Sequence, residues 1–319
     1  MMGPHEPWSN DRVLNDRPNE RGVALVVVLW VIVVLSIQVG LFTVQVRDGV
    51  RLLDNATAAA RGQALMHAAV ETAVARLTAR VPRERWQADG AQRALRIGDM
   101  DVTLSIHDEN ARININAAEP ALLEGLLREL TRSPGEAQML ADRIVDWRDP
   151  DSNRRTKGAE DQDYRRARME HGAADQPFLD VADLGRVLGM SAELAQELAP
   201  HLTIYTADGR INPRLASETV LRSLPDVPRQ TVDEAMQLIR RGGEAALGVD
   251  ALLASARQYL SNARGPAFRI RVQSTGDRRL ASGGGEAIVV LGLDAATPYR
   301  TLAWRFRPGS GDSRSGMRQ

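Results

Sequence analysis

The chain has no cysteine, and only 4% of its 319 residues are aromatic. Without cysteine there is no disulfide framework, no thiolate nucleophile and no cysteine metal cage. A folded region outside the cytoplasm must then rely on its core or on a bound metal. Catalytic signatures are missing too: no Gly-x-Ser-x-Gly elbow, no His-Glu-x-x-His pair and no phosphate-cradling glycine loop occurs. His67, His107, His171 and His201 are scattered without ligand spacing. Formal net charge is zero, but it is unevenly spread. Residues 112–205 carry 12 Lys/Arg against 17 Asp/Glu, whereas 206–319 carry 17 against 11. The acidic middle disfavours nucleic acid, whose phosphates are bound mainly by Lys and Arg.

Charge is also absent from Val23 to Val44, where Gln38 is the one strongly polar residue. Twenty-two helical residues span roughly 33 Å, enough for a bilayer core of about 30 Å. A secretory signal has a shorter apolar region and a cleavage site behind it. Here apolar helical spacing continues through Met66, Val70, Ala73, Val74 and Leu77, and no proline intervenes before Pro82. The pattern predicts one helix from Val23 to about Arg80, apolar all round in its first half and on one face in its second. Arg12, Arg17 and Arg21 before the run balance Arg47, Arg51 and Arg61 after it, so charge does not orient it.

Residues 1–22 read as a polar leader and 308–319 as a loose Gly-, Ser- and Arg-rich tail. Between Arg83 and Gly98 the sequence predicts a polar connection. Val102, Leu104 and Ile106 alternate as one face of a strand. Helical patterns then dominate to about Leu202. Asn116 with Glu119 predicts a capped start for the first helix, and Asp180 and Ser191 predict caps for later ones. Helical segments continue from Pro213 to about Leu260. Three alternating runs come next, around Phe268–Val272, Ala287–Leu291 and Leu302–Phe306, and predict an antiparallel meander. The whole predicts an α+β fold: the apolar half of the long helix (23–44), its second half with the first strand (45–111), an inserted all-α domain (112–205), and the remainder of the head (206–307).

Two motifs stand out. Arg112-Ile113-Asn114 with Ala118, Leu123 and Leu126 recurs as Arg210-Ile211-Asn212 with Ala216, Leu221 and Leu224. Asn-led segments of this kind start helices by satisfying backbone donors; similar ones occur in helix-hairpin-helix modules that bind DNA backbones. An anchored nucleic-acid binder is therefore the alternative function. The second motif is an acidic loop. Asp149, Asp151, Asn153 and Glu160 occupy positions 1, 3, 5 and 12 of an EF-hand-like spacing, joined by Asp161 and Asp163. Arg154 stands where the EF-hand turn requires glycine, so a different loop geometry is expected. Either these oxygens wrap a hard cation, or Arg154, Arg155 and Lys157 neutralise a solvated loop.

Arg21-Gly22 before Val23-Ala24-Leu25 resembles the leader cleavage site of type IV pilins and type II secretion pseudopilins. The resemblance implies cutting by a prepilin peptidase after Gly22 and methylation of Val23. The fifth mature residue, usually Glu, is Val27, which is similar to the K-type minor pseudopilin. That family is also resembled by Arg112–Asn116, Asp146-Trp147-Arg148-Asp149-Pro150-Asp151, Gly158-Ala159-Glu160-Asp161 with Tyr164, and Gly189-Met190. The resemblance implies a pilin-like fold and a single-pass anchor at residues 23–44 in the bacterial inner membrane, with the head in the periplasm. It further implies a tip position in the secretion pseudopilus beside minor pseudopilins I and J, calcium in the helical domain, no nucleic-acid partner and no enzymatic activity. Val27 would then spare a subunit with no neighbour above it an unpaired membrane carboxylate.

Overall fold

The computed structural model describes residues 20–131, 133–274, 283–292 and 297–308, with side chains left undescribed at 20–24, 42–52, 54, 55, 283, 307 and 308. The expected leader, apart from its last residues, and nearly all of the expected tail lie outside the described residues. Helix α1 runs Glu20–Leu77, close to the expected span. Thr78 closes it by donating both its N–H and its Oγ1 hydroxyl to the Val74 carbonyl, at 3.0 and 2.8 Å. The chain divides into two units, the first ending at Ala59 within α1.

In the first unit, large apolar side chains from Leu25 to Leu41 stand exposed, Trp30 at 68%. Among the described residues no helix is long and apolar enough to cross a membrane. The side chains described in the apolar run extend only from Leu25 to Leu41, short of the roughly 20 residues a crossing needs.

The second unit holds a sheet head and a helical domain. After α1 come β1 (Arg93–Ile97) and β2 (Met100–Asp108). The stretch expected to be a plain connection thus contains a strand. Its alternation is hard to see because Arg93 shares the inner face with Leu95 and Ile97, opposite Leu104, Val102 and Met100 of β2.

The chain then enters the helical domain: β3 (Ile113–Asn114), α2 (Pro120–Thr131), α3 (Pro134–Arg148), α4 (Asp161–Arg166), α5 (Ala192–Leu198) and β4 (Leu202–Thr203). It continues with α6 (Glu218–Arg222), α7 (Arg229–Arg241) and α8 (Val249–Leu252). Asn116 is not the expected cap of α2. Its amide exchanges two hydrogen bonds with the Phe178 backbone, at 2.9 and 2.8 Å, and α2 starts later. Asp180 does cap, accepting from Ala182 N–H, but the segment it opens is a 3-10 turn rather than an α-helix. Ser191 caps α5 as expected, accepting from Leu194 N–H at 3.1 Å.

The boundary expected at residue 205 is not one. Ile113, Leu123, Leu126, Trp147 and Tyr164 share a single core with Ile211, Leu221, Leu224, Val232 and Tyr259. The helical domain therefore extends to about residue 261, and the sequence echo is its internal symmetry. Ile113 pairs in parallel with Leu202, and Ile211 in parallel with Leu260. Asn114 Oδ1 accepts from Asn116 N–H at 2.9 Å, and Asn212 Oδ1 from Arg214 N–H at 3.1 Å.

The head resumes with β5 (Ala267–Ser274), β6 (Gly283–Leu291) and β7 (Tyr299–Pro308). The expected meander is present, and the full antiparallel sheet has the order β1-β2-β5-β6-β7. Its inner face packs Val102, Leu104, Ile106, Ile270, Ala287 and Val289 on Leu65, Met66, Ala69, Val70, Ala73 and Val74 of α1. The small residues of α1 allow close approach. Gly285 does the same on β6, where a Cβ would collide with Met66 Sδ. Entry and exit of the helical domain lie together, because Asp108 of β2 pairs with Phe268 of β5. That end of the sheet adjoins the C-terminus of α1: Trp86 N–H reaches the Arg76 carbonyl, and Asp108 N–H the Ala88 carbonyl, at 3.0 and 3.2 Å.

Candidate functional site

The acidic loop hangs from the C-terminus of α3, and the family-like residues there divide into anchors and free oxygens. Trp147 is 2% exposed in the core, flanked by the rings of Tyr164, His171 and Phe178. Arg148 ties α3 to the start of α2 through the carbonyls of Ile115 and Ala118. Asp146 is fully buried and accepts from Arg155 N–H at 3.1 Å, which folds the loop back on α3. Gly158 is needed beside it, since a Cβ there would strike Asp146 Oδ2.

The six expected oxygen donors do not form one group. Asp161 is largely exposed and faces Arg165. Asp163 is spent on helix α4: its Oδ2 accepts from Glu160 N–H at 3.1 Å, and its Oδ1 meets Arg166 at 3.1 Å and Arg154 at 3.5 Å. Asp151 Oδ1 accepts from Asn153 N–H at 2.7 Å, a turn that shapes the loop. Asp149 and Glu160 differ from all of these. Among the described residues, no donor reaches Asp149 Oδ1 or Glu160 Oε1, although both atoms are buried. An unmet buried acceptor costs about 1–3 kcal/mol.

Electrostatics show what surrounds them. Burial, then Asp146, Asp149, Asp175 and Asp151, push the Glu160 carboxyl up to about 7. Burial and Asp151, with Asp175 adding, raise Asp149 as well. Asp175 thus belongs to this cluster. The sequence hid it, because it lies well beyond the loop; its positive φ of 50° marks it as an unusual non-glycine residue. Among the described residues no three Asp, Glu or His side chains already converge as a metal cage. Asp149 and Glu160 each offer one unused oxygen, and Asp151 and Asp175 add negative charge beside them.

The other expected positions are simpler. Gly22 and Val23 lie within α1, their side chains outside those described. Val27 stands 54% exposed on that helix. The paired Asn-led segments use their side chains internally: Asn114 Nδ2 donates to the Thr206 carbonyl at 3.0 Å, and Asn212 Nδ2 to the Ala263 carbonyl at 3.3 Å.

A pilin-like α+β head with an added helical domain defines the class of protein. Comparison with known proteins narrows it. The family model for protein K of the type II secretion system matches residues 102–207. The type II secretion system protein K of Klebsiella pneumoniae is 27% identical over 247 residues, 69% of this chain and 74% of that protein. That of Pectobacterium carotovorum subsp. carotovorum is 25% identical over 264 residues, covering 73% and 79%. The crystal structure of the GspK-GspI-GspJ complex from the enterotoxigenic Escherichia coli type 2 secretion system shares the fold. It matches with a TM-score of 0.56 at 19% identity, over 83% of this chain and 99% of the matched one. Residues 102–207 thus match the model of type II secretion system protein K, and the chain is similar over most of its length to proteins of that name.

Proposed function

We propose that this minor pseudopilin occupies the tip of the secretion pseudopilus and assembles there with pseudopilins of the I and J kinds. The observation that carries this is the placing of the helical domain. It enters after β2 and returns before β5, at the end of the sheet beside the α1 C-terminus. In a filament whose subunits stack through their long helices, a domain there takes the space of the next head. Val27 supports the same position, since a terminal subunit offers a membrane carboxylate no neighbouring amine. Residues 23–44 serve as the inner-membrane anchor, cut after Gly22 by a prepilin peptidase and methylated at Val23, with the head in the periplasm. The role is structural, nucleating or capping the filament that drives export, not catalytic.

Calcium binding belongs to this proposal. Asp149, Asp151, Glu160 and Asp175 would hold the ion, which would supply the counter-charge that Glu160 lacks among its acidic neighbours. The experiment is intact mass and stoichiometry of assemblies extracted from membranes. A chain starting at methylated Val23, present once per assembly with I and J subunits, is expected. An uncut leader in cells with active peptidase would refute the pseudopilin processing, and many copies along each filament would refute the tip position.

A further inference from the structure

The helical domain meets the head through buried charge. Glu109, immediately after β2, is completely buried. Arg269 of β5 grips both its oxygens, Nε to Oε1 at 2.7 Å and Nη2 to Oε2 at 3.0 Å. Thr203 of β4 donates its hydroxyl to Oε2, and Arg112 Nε stands 3.4 Å from Oε1. One carboxylate therefore joins the neck of the domain, the close of its first half and a central strand of the head. Arg112 also donates to the Pro200 carbonyl.

The charge chain continues outward over the sheet. Arg269 also pairs with Glu286 of β6, which holds Arg271 at 3.0 Å and Arg305 at 3.7 Å. Arg305 of β7 then reaches back to Asp180 of the helical domain. The two ends of this chain differ in exposure. The Arg269 and Glu109 side chains are 8% and 0% exposed, whereas those of Arg305 and Asp180 are 46% and 43% exposed.

Among the described residues no buried apolar cluster spans the head and the helical domain. The two cores are separate clusters, and β3–β4 forms its own sheet. A buried ion pair adds little net stability, yet removing one partner is costly, and exposed pairs are screened by salt. We infer that Glu109 is the positioning residue that fixes the pose of the helical domain on the head, and that Asp180–Arg305 is an outer latch which salt loosens. The inference holds whatever the place of the subunit in the filament.

The absence of cysteine makes the test clean. Spin labels on Ala94→Cys in β1 and Glu193→Cys in α5, both exposed positions, report the distance between head and helical domain in the full chain held in detergent. The parent is expected to give one narrow distance at low salt and a modestly broader one at high salt. Arg305→Ala should be broadened at low salt and insensitive to added salt. Glu109→Gln should lose the narrow peak while keeping its helix content by circular dichroism. Should that variant not fold, Thr203→Val, which removes one bond to Glu109 without stranding a charge, should show partial broadening. A narrow peak that survives in folded Glu109→Gln, or unchanged in Thr203→Val, overturns the positioning role. A salt response that persists in Arg305→Ala overturns the latch.

Discussion

Two groups of buried carboxylates sit in the second unit and have been treated oppositely. Glu109 has its oxygens occupied by Arg269, Thr203 and Arg112. Neighbouring Glu286 is pushed up by burial, yet Arg269 and Arg271 pull it below the usual carboxylate range. Glu160 has an orphaned oxygen and four acidic neighbours, and is pushed up to about 7. Both Glu109 and Glu160 are buried carboxylates, so burial alone does not define a site. What separates them is whether the protein supplies the counter-charge. At Glu109 it does, and the arrangement is complete. At Glu160 it does not, and the missing positive charge is the strongest argument for a cation.

The sharpest way to break the comparison is to neutralise each centre. Glu109→Gln should take the buried carboxylate away from Arg269, which keeps Glu286, and from Arg112, and cost about 3–5 kcal/mol. Glu160→Gln in the absence of calcium should stabilise, by about 1–3 kcal/mol, because it removes a disfavoured charge. Denaturant unfolding of the two variants measures both; equal losses would erase the distinction.

Calcium itself should act next. At a concentration about 100 times its dissociation constant it adds about 2.7 kcal/mol, roughly 5–10 °C in midpoint for a region of this size. Chelator should remove that gain, and Asp151→Ala or Glu160→Ala should abolish most of it. A midpoint indifferent to chelator, with no bound metal by elemental analysis, would leave the loop merely solvated.

A smaller effect lies in the neck beside the completed centre. Asp108 is raised by burial from 3.8 to about 6. The native state keeps a proton that the unfolded chain releases, so this group makes stability fall as pH rises from about 4 to 6. His107 is lowered from 6.5 to about 4 by burial and by Arg112. The unfolded chain binds a proton that the native state refuses, so this group makes stability rise over about pH 4 to 6.5. The two slopes, each up to about 1.4 kcal/mol per pH unit, oppose one another. Relative to the parent, Asp108→Asn should tilt the profile upward with pH and His107→Gln should tilt it downward, read from unfolding midpoints between pH 4 and 6.5. Least of all should come from Asp161→Ala, which is expected within about 0.5 kcal/mol of the parent with its calcium gain intact.

Much of the fold was legible because burial is periodic. Met66, Val70, Ala73 and Val74 mark the helix face, and Val102, Leu104 and Ile106 the facing strand, by spacing alone. β1 was not legible, because an arginine interrupts its inner face. The second half of the helical domain was assigned to the head. The short strand at Leu202 looked like a return to the sheet, whereas it pairs with Ile113 inside the domain. The repeated Arg-Ile-Asn segments held the correction, since both start the same structural unit. At the acidic loop, proximity in sequence misled in both directions. Asp161 and Asp163 are neighbours in the chain but serve α4 or solvent. Asp175 is distant in the chain but adjacent in its field.

The adjacent entry and exit of the helical domain bear on how the head is made. Glu109 and Arg269 are 160 positions apart, so β2 must wait for a partner synthesised much later. A chain that long loses entropy when its ends are brought together, and such distant pairings slow folding. Here the intervening segment is itself a folding unit with its own core. Once it closes, Asn212 N–H meets the Asn110 carbonyl at 2.7 Å and Gly265 N–H meets Asp108 Oδ2 at 3.2 Å. The two ends of the gap are then already side by side, and for β5 the search for β2 becomes that of a hairpin.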